Sequence, residues 1–261
     1  MFKYDASKSN RDNTERLFEL ILNEEIPANL RDENKNLILF FEETDEGEKK
    51  FEVANNLESQ KLEIKFIGTN NTVIIPKTAR FEKSKIIFSS NCIFFMEATK
   101  GRIINTFFRC EREKGHALVY IGKKFSCRGA YITIYPWTCI CINDDCMLST
   151  GIKLRTSDGH TIIDDLGNIK NTNQSIFIDR HCWIGNNATI LKNTYIPENS
   201  IIGQNTIVTK SFFEKGSIIV GTPGKVVSVG NNWVLDPPDK VTDTSFESGK
   251  FRDDLFFVSE K

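Results

Sequence analysis

A long apolar run, an excess of either charge and a C-x-x-C cysteine pair are all missing from this sequence of 261 residues. The run Leu37-Ile38-Leu39-Phe40-Phe41 is far too short to span a bilayer or to form a signal-peptide core, so neither a transmembrane segment nor an export signal is expected. Lys and Arg number 34 against 35 acidic residues, a net charge of −1, without the basic surplus of a protein that grips phosphate backbones. Nucleic acid is therefore not an expected partner. Seven cysteines form an odd set with no C-x-x-C pair, which argues against a disulfide framework and against a zinc ribbon. They are read as reduced thiols, packed as small hydrophobes in a cytoplasmic protein. The rest of the composition, 39% hydrophobic and 26% charged, is that of an ordinary globular chain.

What the sequence does contain is a repeat. Ile178, Ile184, Ile190, Ile196, Ile202 and Val208 follow one another at intervals of six, and Cys182, Ala188, Thr194, Ser200 and Thr206 stand four places after the first five of them. Neither a helical period nor simple alternation produces a strict six. Short strands separated by corners do. Three such strands make a triangular coil of 18 residues, whose aliphatic side chains enter the prism and stack on those of the next coil about 4.8 Å above. Such a parallel β-helix is stable only when several coils stack. The same phase reaches back to Ile142, Leu148 and Leu154, whereas Ile121 and Cys127 are offset from it by three. Coils with insertions are expected from about residue 70, with a wider, Phe-rich interior in the earlier half.

The ends differ. Residues 14–24 carry Leu17, Leu20 and Ile21 at helical spacing behind Thr14 as a cap, and Leu37–Phe41 and Leu62–Ile67 read as strands. The expected organisation is an N-terminal helix and strand extension over 1–69, the β-helix over 70–228 and a capping tail over 229–261.

The segment from Ser157 to Val227 resembles the hexapeptide-repeat acyltransferases. The matching residues are Ser157-Asp158-Gly159-His160, then Ile178-Asp179-Arg180-His181-Cys182-Trp183-Ile184-Gly185, Ile201-Ile202-Gly203, Val208-Thr209-Lys210 and Gly221-Thr222-Pro223-Gly224-Lys225. The resemblance implies an all-β fold, a left-handed parallel β-helix, and a homotrimer with active sites between subunits. It also implies transfer of an acetyl group from acetyl-CoA to a sugar hydroxyl.

That chemistry requires a base, because an alcohol is a poor nucleophile at neutral pH, and histidine suits the task. His116, His160 and His181 are the three histidines of the chain. His160 falls where the hexad calls for an aliphatic and opens a polar stretch over 160–177, as a loop leaving the prism would. It is the expected general base. Trp183 occupies an outward place and is read either as a subunit contact or as a wall of the acetyl site; a Trp at this place is linked to catalysis in polysaccharide O-acetyltransferases of the family. Its indole N–H, or a backbone N–H near Gly185, is the expected oxyanion donor. Lying 23 residues from His160, five beyond a coil, it does not stack on the histidine within one chain.

By the resemblance, Gly185, Gly203, Thr209, Lys210, Pro223 and Lys225 are coenzyme-binding positions, with Thr209 and Lys210 one coil above the Trp region. The basic residue common after the last motif is replaced by Val227-Ser228. Lys192 and Lys215 are read as ordinary charged surface. No metal is expected, because the three-histidine spacing of the carbonic anhydrase relatives is absent; His181 is read as a surface or cleft residue and His116 as structural. The expected activity is acetyl-CoA-dependent O-acetylation of a capsular or surface polysaccharide or its precursor, with a carbohydrate acceptor. The alternatives are N-acetylation of an amino nucleotide sugar and a noncatalytic β-helix assembly subunit.

Overall fold

The computed structural model describes residues 1–22, 30–44, 46–54, 57–97, 101–111 and 115–238. Three parallel sheets of short strands form the three faces of a prism. The chain crosses the first face, for example in Thr194–Ile196, then the second in Ile201–Ile202, then the third in Ile207–Val208, and returns to the first one rung higher. The hexad dictates this. Ile178, Ile184, Ile190, Ile196, Ile202 and Val208 all lie in the interior, as do the small residues Cys182, Ala188, Thr194, Ser200 and Thr206 at the corners. Each such aliphatic contributes roughly 1.5–3 kcal/mol by burial.

The coils of the earlier half are longer than those of the later half. Ile103 pairs with Cys127 (24 residues on) and Ala117 with Thr138 (21), whereas Ile176 pairs with Thr194 and Trp183 with Ile201 (18 each). Longer coils leave a wider interior, and Phe81, Phe88, Phe94, Phe108 and Phe125 fill it. The turns between faces depend on a residue the hexad did not draw attention to. Asn187, Asn193, Asn199 and Asn205, each just before a small interior residue, have φ between 56° and 62°. Asparagine tolerates this left-handed region better than other residues with a β-carbon.

The N-terminal region departs from expectation. Helix α1 spans Asn10–Leu22, and its cap is Ser9, whose Oγ accepts the Asp12 N–H at 3.1 Å while the Asp12 carboxylate accepts the Ser9 N–H. Thr14 is instead buried inside the helix, its hydroxyl donating to the Asn10 carbonyl. Residues 23 and 24 of the expected helix lie outside the described residues. The helix lays Leu17 and Ile21 on the outer surface of the first face, making a second apolar layer with Phe95, Tyr120, Cys139 and Phe177. The ladder also starts earlier than residue 70, since Leu37–Glu43 pairs with Thr72–Pro76 and Leu62–Phe66 with Ser84–Phe88.

Cys92 and Cys110 are joined by a disulfide, a correction to the reading of seven reduced thiols. Cys92 opens a first-face strand and Cys110 closes the third-face strand of the same coil, so both reach the edge where those faces meet. The other five cysteines are free and buried. No helix among the described residues is long and apolar enough to cross a membrane.

Candidate functional site

The coil that ends in Ile152–Arg155 does not turn directly onto the first face. It leaves the prism at the edge between the third and first faces and re-enters at Ile176–Ile178, so that Ile140 pairs with Ile176, 36 residues on rather than 18. His160 lies on this excursion, exposed, as the polar filling of its hexads requires. The arm is fastened at its root. Arg155 Nε donates to the Ser157 carbonyl at 2.7 Å, and Asp158 Oδ2 accepts from Lys192 Nζ at 2.5 Å and from Asn171 Nδ2 at 2.6 Å. Asn171 also donates to the His160 carbonyl at 2.9 Å, joining the outgoing and returning limbs beside the histidine. The Lys192 ammonium, and then Asn171, hold the Asp158 carboxyl below the usual carboxylate range. Lys192 is therefore not simply charged surface. Farther out, Ile162, Ile163, Leu166 and Ile169 are all exposed, with Leu166 at 86%.

Trp183 sits on the second face, 37% exposed, with its indole N–H donated to Ser149 Oγ at 3.2 Å. In a triangular prism the second face lies opposite the edge where the third meets the first. His160 and Trp183 thus occupy opposite sides of one chain. The other candidates divide the same way. Thr209 and Lys210 follow the third-face strand Ile207–Val208, and Phe212 resumes the first-face ladder by donating its N–H to the Tyr195 carbonyl. They stand on the His160 edge, one coil beyond Leu191 and Lys192. This corrects their expected position above the Trp region, because the residue paired above Trp183 is Ile201. Gly185, Gly203 and Pro223 mark the edge between the second and third faces, and Lys225 opens the strand Lys225–Ser228, which covers the last rung of the second face.

The two glycines have a structural explanation. A β-carbon at Gly185 would lie 2.6 Å from the Ile202 carbonyl oxygen, and one at Gly203 would lie 2.7 Å from Val220 Cγ1. What approaches them closely is the next coil. The Gly185 N–H donates to the Ile202 carbonyl at 2.8 Å, so a backbone donor near Gly185 would be another N–H than its own.

His181 is not a surface or cleft residue. It is 6% exposed, in the left-handed region with φ 53°, and its Nδ1 faces Asp145 Oδ2 at 2.8 Å. The tail beyond the β-helix descends along this edge, placing Asn231 against Gly216 and Trp233 against His181. Residues 239–261 of the expected capping tail lie outside the described residues. His116, expected to be structural, is exposed beside Trp137. Among the described residues no three His, Cys, Asp or Glu side chains come together as a metal site.

Two curated relatives align with the chain. The polysialic acid O-acetyltransferase of Neisseria meningitidis is 33% identical over 127 residues, covering 48% of this chain and 58% of the relative. That of Escherichia coli O1:K1 / APEC is 32% identical over 147 residues, covering 55% and 45%. The chain spans about half the length of the curated relatives it matches. Among solved structures, the polySia specific acetyltransferase NeuO aligns with a TM-score of 0.61 and 27% identity, covering 72% of this chain and 84% of that one. No protein-family model matches the sequence.

Proposed function

We propose that this hexapeptide-repeat, left-handed β-helix protein, a relative of the polysialic acid O-acetyltransferases in sequence and fold, moves an acetyl group from acetyl-CoA to a hydroxyl of a surface polysaccharide. A sialic acid polymer is the acceptor its relatives' names favour. The carrying observation is the division of the candidate residues between opposite sides of one prism. An edge with His160 and Lys210 has a base and a cation; a face with Trp183 and Lys225 has an aromatic wall and a cation. Two copies side by side supply both halves, and the exposed apolar residues of the arm favour such contact. A homotrimer closes this arrangement with three equivalent sites.

In the reaction, the His160 imidazole accepts the proton of the acceptor hydroxyl as its oxygen attacks the thioester carbonyl carbon. The new C–O bond leaves a tetrahedral oxyanion. With the Gly185 N–H committed to the next coil, the Trp183 indole N–H is the donor for that oxyanion, on release from Ser149. Collapse breaks the C–S bond, and the imidazolium returns its proton to the departing sulfur. Lys210 and Lys225 supply cations for the coenzyme phosphates. The reaction belongs where acetyl-CoA is made, in the cytoplasm.

Subunit complementation tests the shared site. His160→Ala and Trp183→Ala proteins should each lose about two to four orders of magnitude in kcat with sialic acid oligomers as acceptors. Co-expressed, they should regain activity in the roughly one quarter of sites that pair an intact His160 with a neighbour's intact Trp183. Mixed protein no more active than either variant would place the chemistry within one chain. Absence of thiol release by the parent with every carbohydrate acceptor would sink the enzymatic reading.

A further inference from the structure

Beside the His160 arm, helix α1 and the edge between the third and first faces enclose a groove of about 1010 Å³. Arg11, Glu15 and Phe18 of the helix form one wall, His116 and Trp137 of the edge the other, and Gln174 on the returning limb of the arm closes one end. We propose that this groove binds sugar residues of the acceptor chain next to the one that is acetylated, with Trp137 as the stacking platform. The inference rests on the carbohydrate-acceptor reading above and extends it to a place on the molecule.

Trp137 is the anomaly that points there. It immediately precedes a first-face strand, at a corner where Asn91 and Asn193 occupy the corresponding places of other coils. All three have left-handed backbones, Trp137 with φ 65°. Asparagine suits that conformation and a bulky aromatic does not. An aromatic kept in strained backbone is grounds for a functional hypothesis. It is not kept for the core, because Trp137 is 71% exposed.

The ring is nevertheless held. The Trp137 backbone N–H donates to the His116 carbonyl at 2.7 Å, fixing the corner, and the His116 ring stands edge-on to the indole at 5.9 Å. A β-carbon at Gly115 would lie 2.6 Å from indole Cε2 and Nε1, so the indole rests against a bare backbone that only glycine provides there. An exposed, fixed indole suits the flat C–H face of a sugar ring.

The surrounding groups suit its hydroxyls. Arg11 and Glu15, paired at 2.9 Å, supply donors and acceptors on one side, and Asn173 and Gln174 supply amides on the other. This mixture of one apolar plane and converging polar groups fits carbohydrate better than a lipid chain. Continuity decides the occupant. Thr172, Asn173 and Gln174 both line the groove and form the returning limb of the arm, and Lys192, which holds Asp158, also donates to the Thr172 carbonyl at 3.0 Å. A chain lying in the groove runs on toward His160.

Calorimetric titration with short and long sialic acid oligomers, in the absence of acetyl-CoA, tests the groove without relying on turnover. The long oligomer should bind the parent, Trp137→Ala should weaken that binding by about tenfold or more, and Trp137→Phe should hold it within about threefold. Melting temperature and mass by light scattering should not change. Equal binding by parent and Trp137→Ala overturns the proposal, as does a parent that binds no oligomer. A fall in oligomer mass for Trp137→Ala also overturns it, making Trp137 a subunit contact. Oligomer binding that depends on Trp137, combined with no acetyl transfer to any carbohydrate, supports the groove and sinks the enzymatic reading alone.

Discussion

Trp233 lies flat on His181, with ring centroids 4.4 Å apart and planes 8° from parallel, and the two residues exchange hydrogen bonds. Trp233 Nε1 donates to the His181 carbonyl at 2.8 Å, and His181 Nε2 lies 2.9 Å from the Trp233 carbonyl. The pair joins the tail to the corner where Asp145, His181, Asn199 and Gly216 of successive coils all have positive φ. Trp183 lies 6.1 Å from Trp233, so the same contact supports the outer surroundings of the proposed acetyl site.

Trp233→Ala should therefore lower stability by about 3 kcal/mol, the low end for removing a buried aromatic, and free the tail to hydrogen exchange. His181→Asn, which keeps a residue suited to left-handed backbone, should cost about 1–2 kcal/mol less than His181→Ala, which adds left-handed strain to the same loss of stacking. Chemical denaturation checks both. A Trp233→Ala protein within about 0.5 kcal/mol of the parent would mean that the tail is not fastened there.

Asp158 makes a prediction about pH. Its carboxyl is held below the ordinary value of 3.8, chiefly by Lys192. A group whose folded pKa is depressed contributes stability above its unfolded pKa and loses it as pH falls through the lower folded value. The arm should stay fastened at neutral pH and loosen only in acid, below that ordinary value. With the Asp158 side chain 42% exposed, the contribution is at most about 1 kcal/mol. Amide chemical shifts over 158–174, followed during acid titration, report the loosening. At neutral pH Asp158→Asn should lower kcat by about tenfold without changing the KM for acetyl-CoA. A KM effect with kcat intact would move Asp158 from holding the arm to binding the coenzyme.

The two lysines proposed to meet the coenzyme are separable by ligand. Lys210→Ala or Lys225→Ala should raise the KM for acetyl-CoA by roughly 1–3 kcal/mol of lost charge-assisted bonding, with less effect on kcat. Acetyl-dephospho-CoA should erase the penalty for whichever lysine meets the 3′-phosphate and preserve it for a pyrophosphate contact. Two variants that use acetyl-CoA like the parent would return both lysines to solvated surface.

The free thiols should be inert in the folded protein. Burial pushes Cys127 up to about 11 and Cys139 up to about 12, and holds Cys141 and Cys146 well above the ordinary thiol value. Thiolate is the reactive form, so iodoacetamide at neutral pH should leave the native protein unlabelled and should label Cys127, Cys139, Cys141, Cys146 and Cys182 after unfolding. Mass spectrometry reads the difference. Rapid native labelling of any of the five would contradict their burial.

The hexad made the later coils legible, because Ile178 through Val208 are buried by a rule that only a triangular coil satisfies. It also marked His160 as leaving the prism, through a missing aliphatic. The asparagine corners were present in the same sequence, at the third place after Ile184, Ile190, Ile196 and Ile202, and would have fixed the turns. Ser9 and Asp12 likewise spelled out the true helix start. Other features were beyond local pattern. Cys92 and Cys110 meet because their coil brings its two ends to one edge, and coil length varies in that half. His181 and Trp233 are 52 residues apart and join through a tail with no repeat. Nor does Trp137 carry any periodic sign that it faces outward, since the same corner takes Asn91, His116, Ser175 and Asn193 in other coils.

The arm carrying His160 has a simple arithmetic. Ile140 pairs with Ile176 after 36 residues where later coils take 18, so the excursion adds the length of one complete turn. Deleting 18 residues from within it would leave every rung above and below in phase, and the prism would close as though the arm had never been there. The scaffold and the segment bearing the histidine are thus separable by excision. A shortened protein of this kind would keep its ladder and its second-face tryptophan while losing the base proposed for it, and the arm could vary in sequence without the stack registering the change.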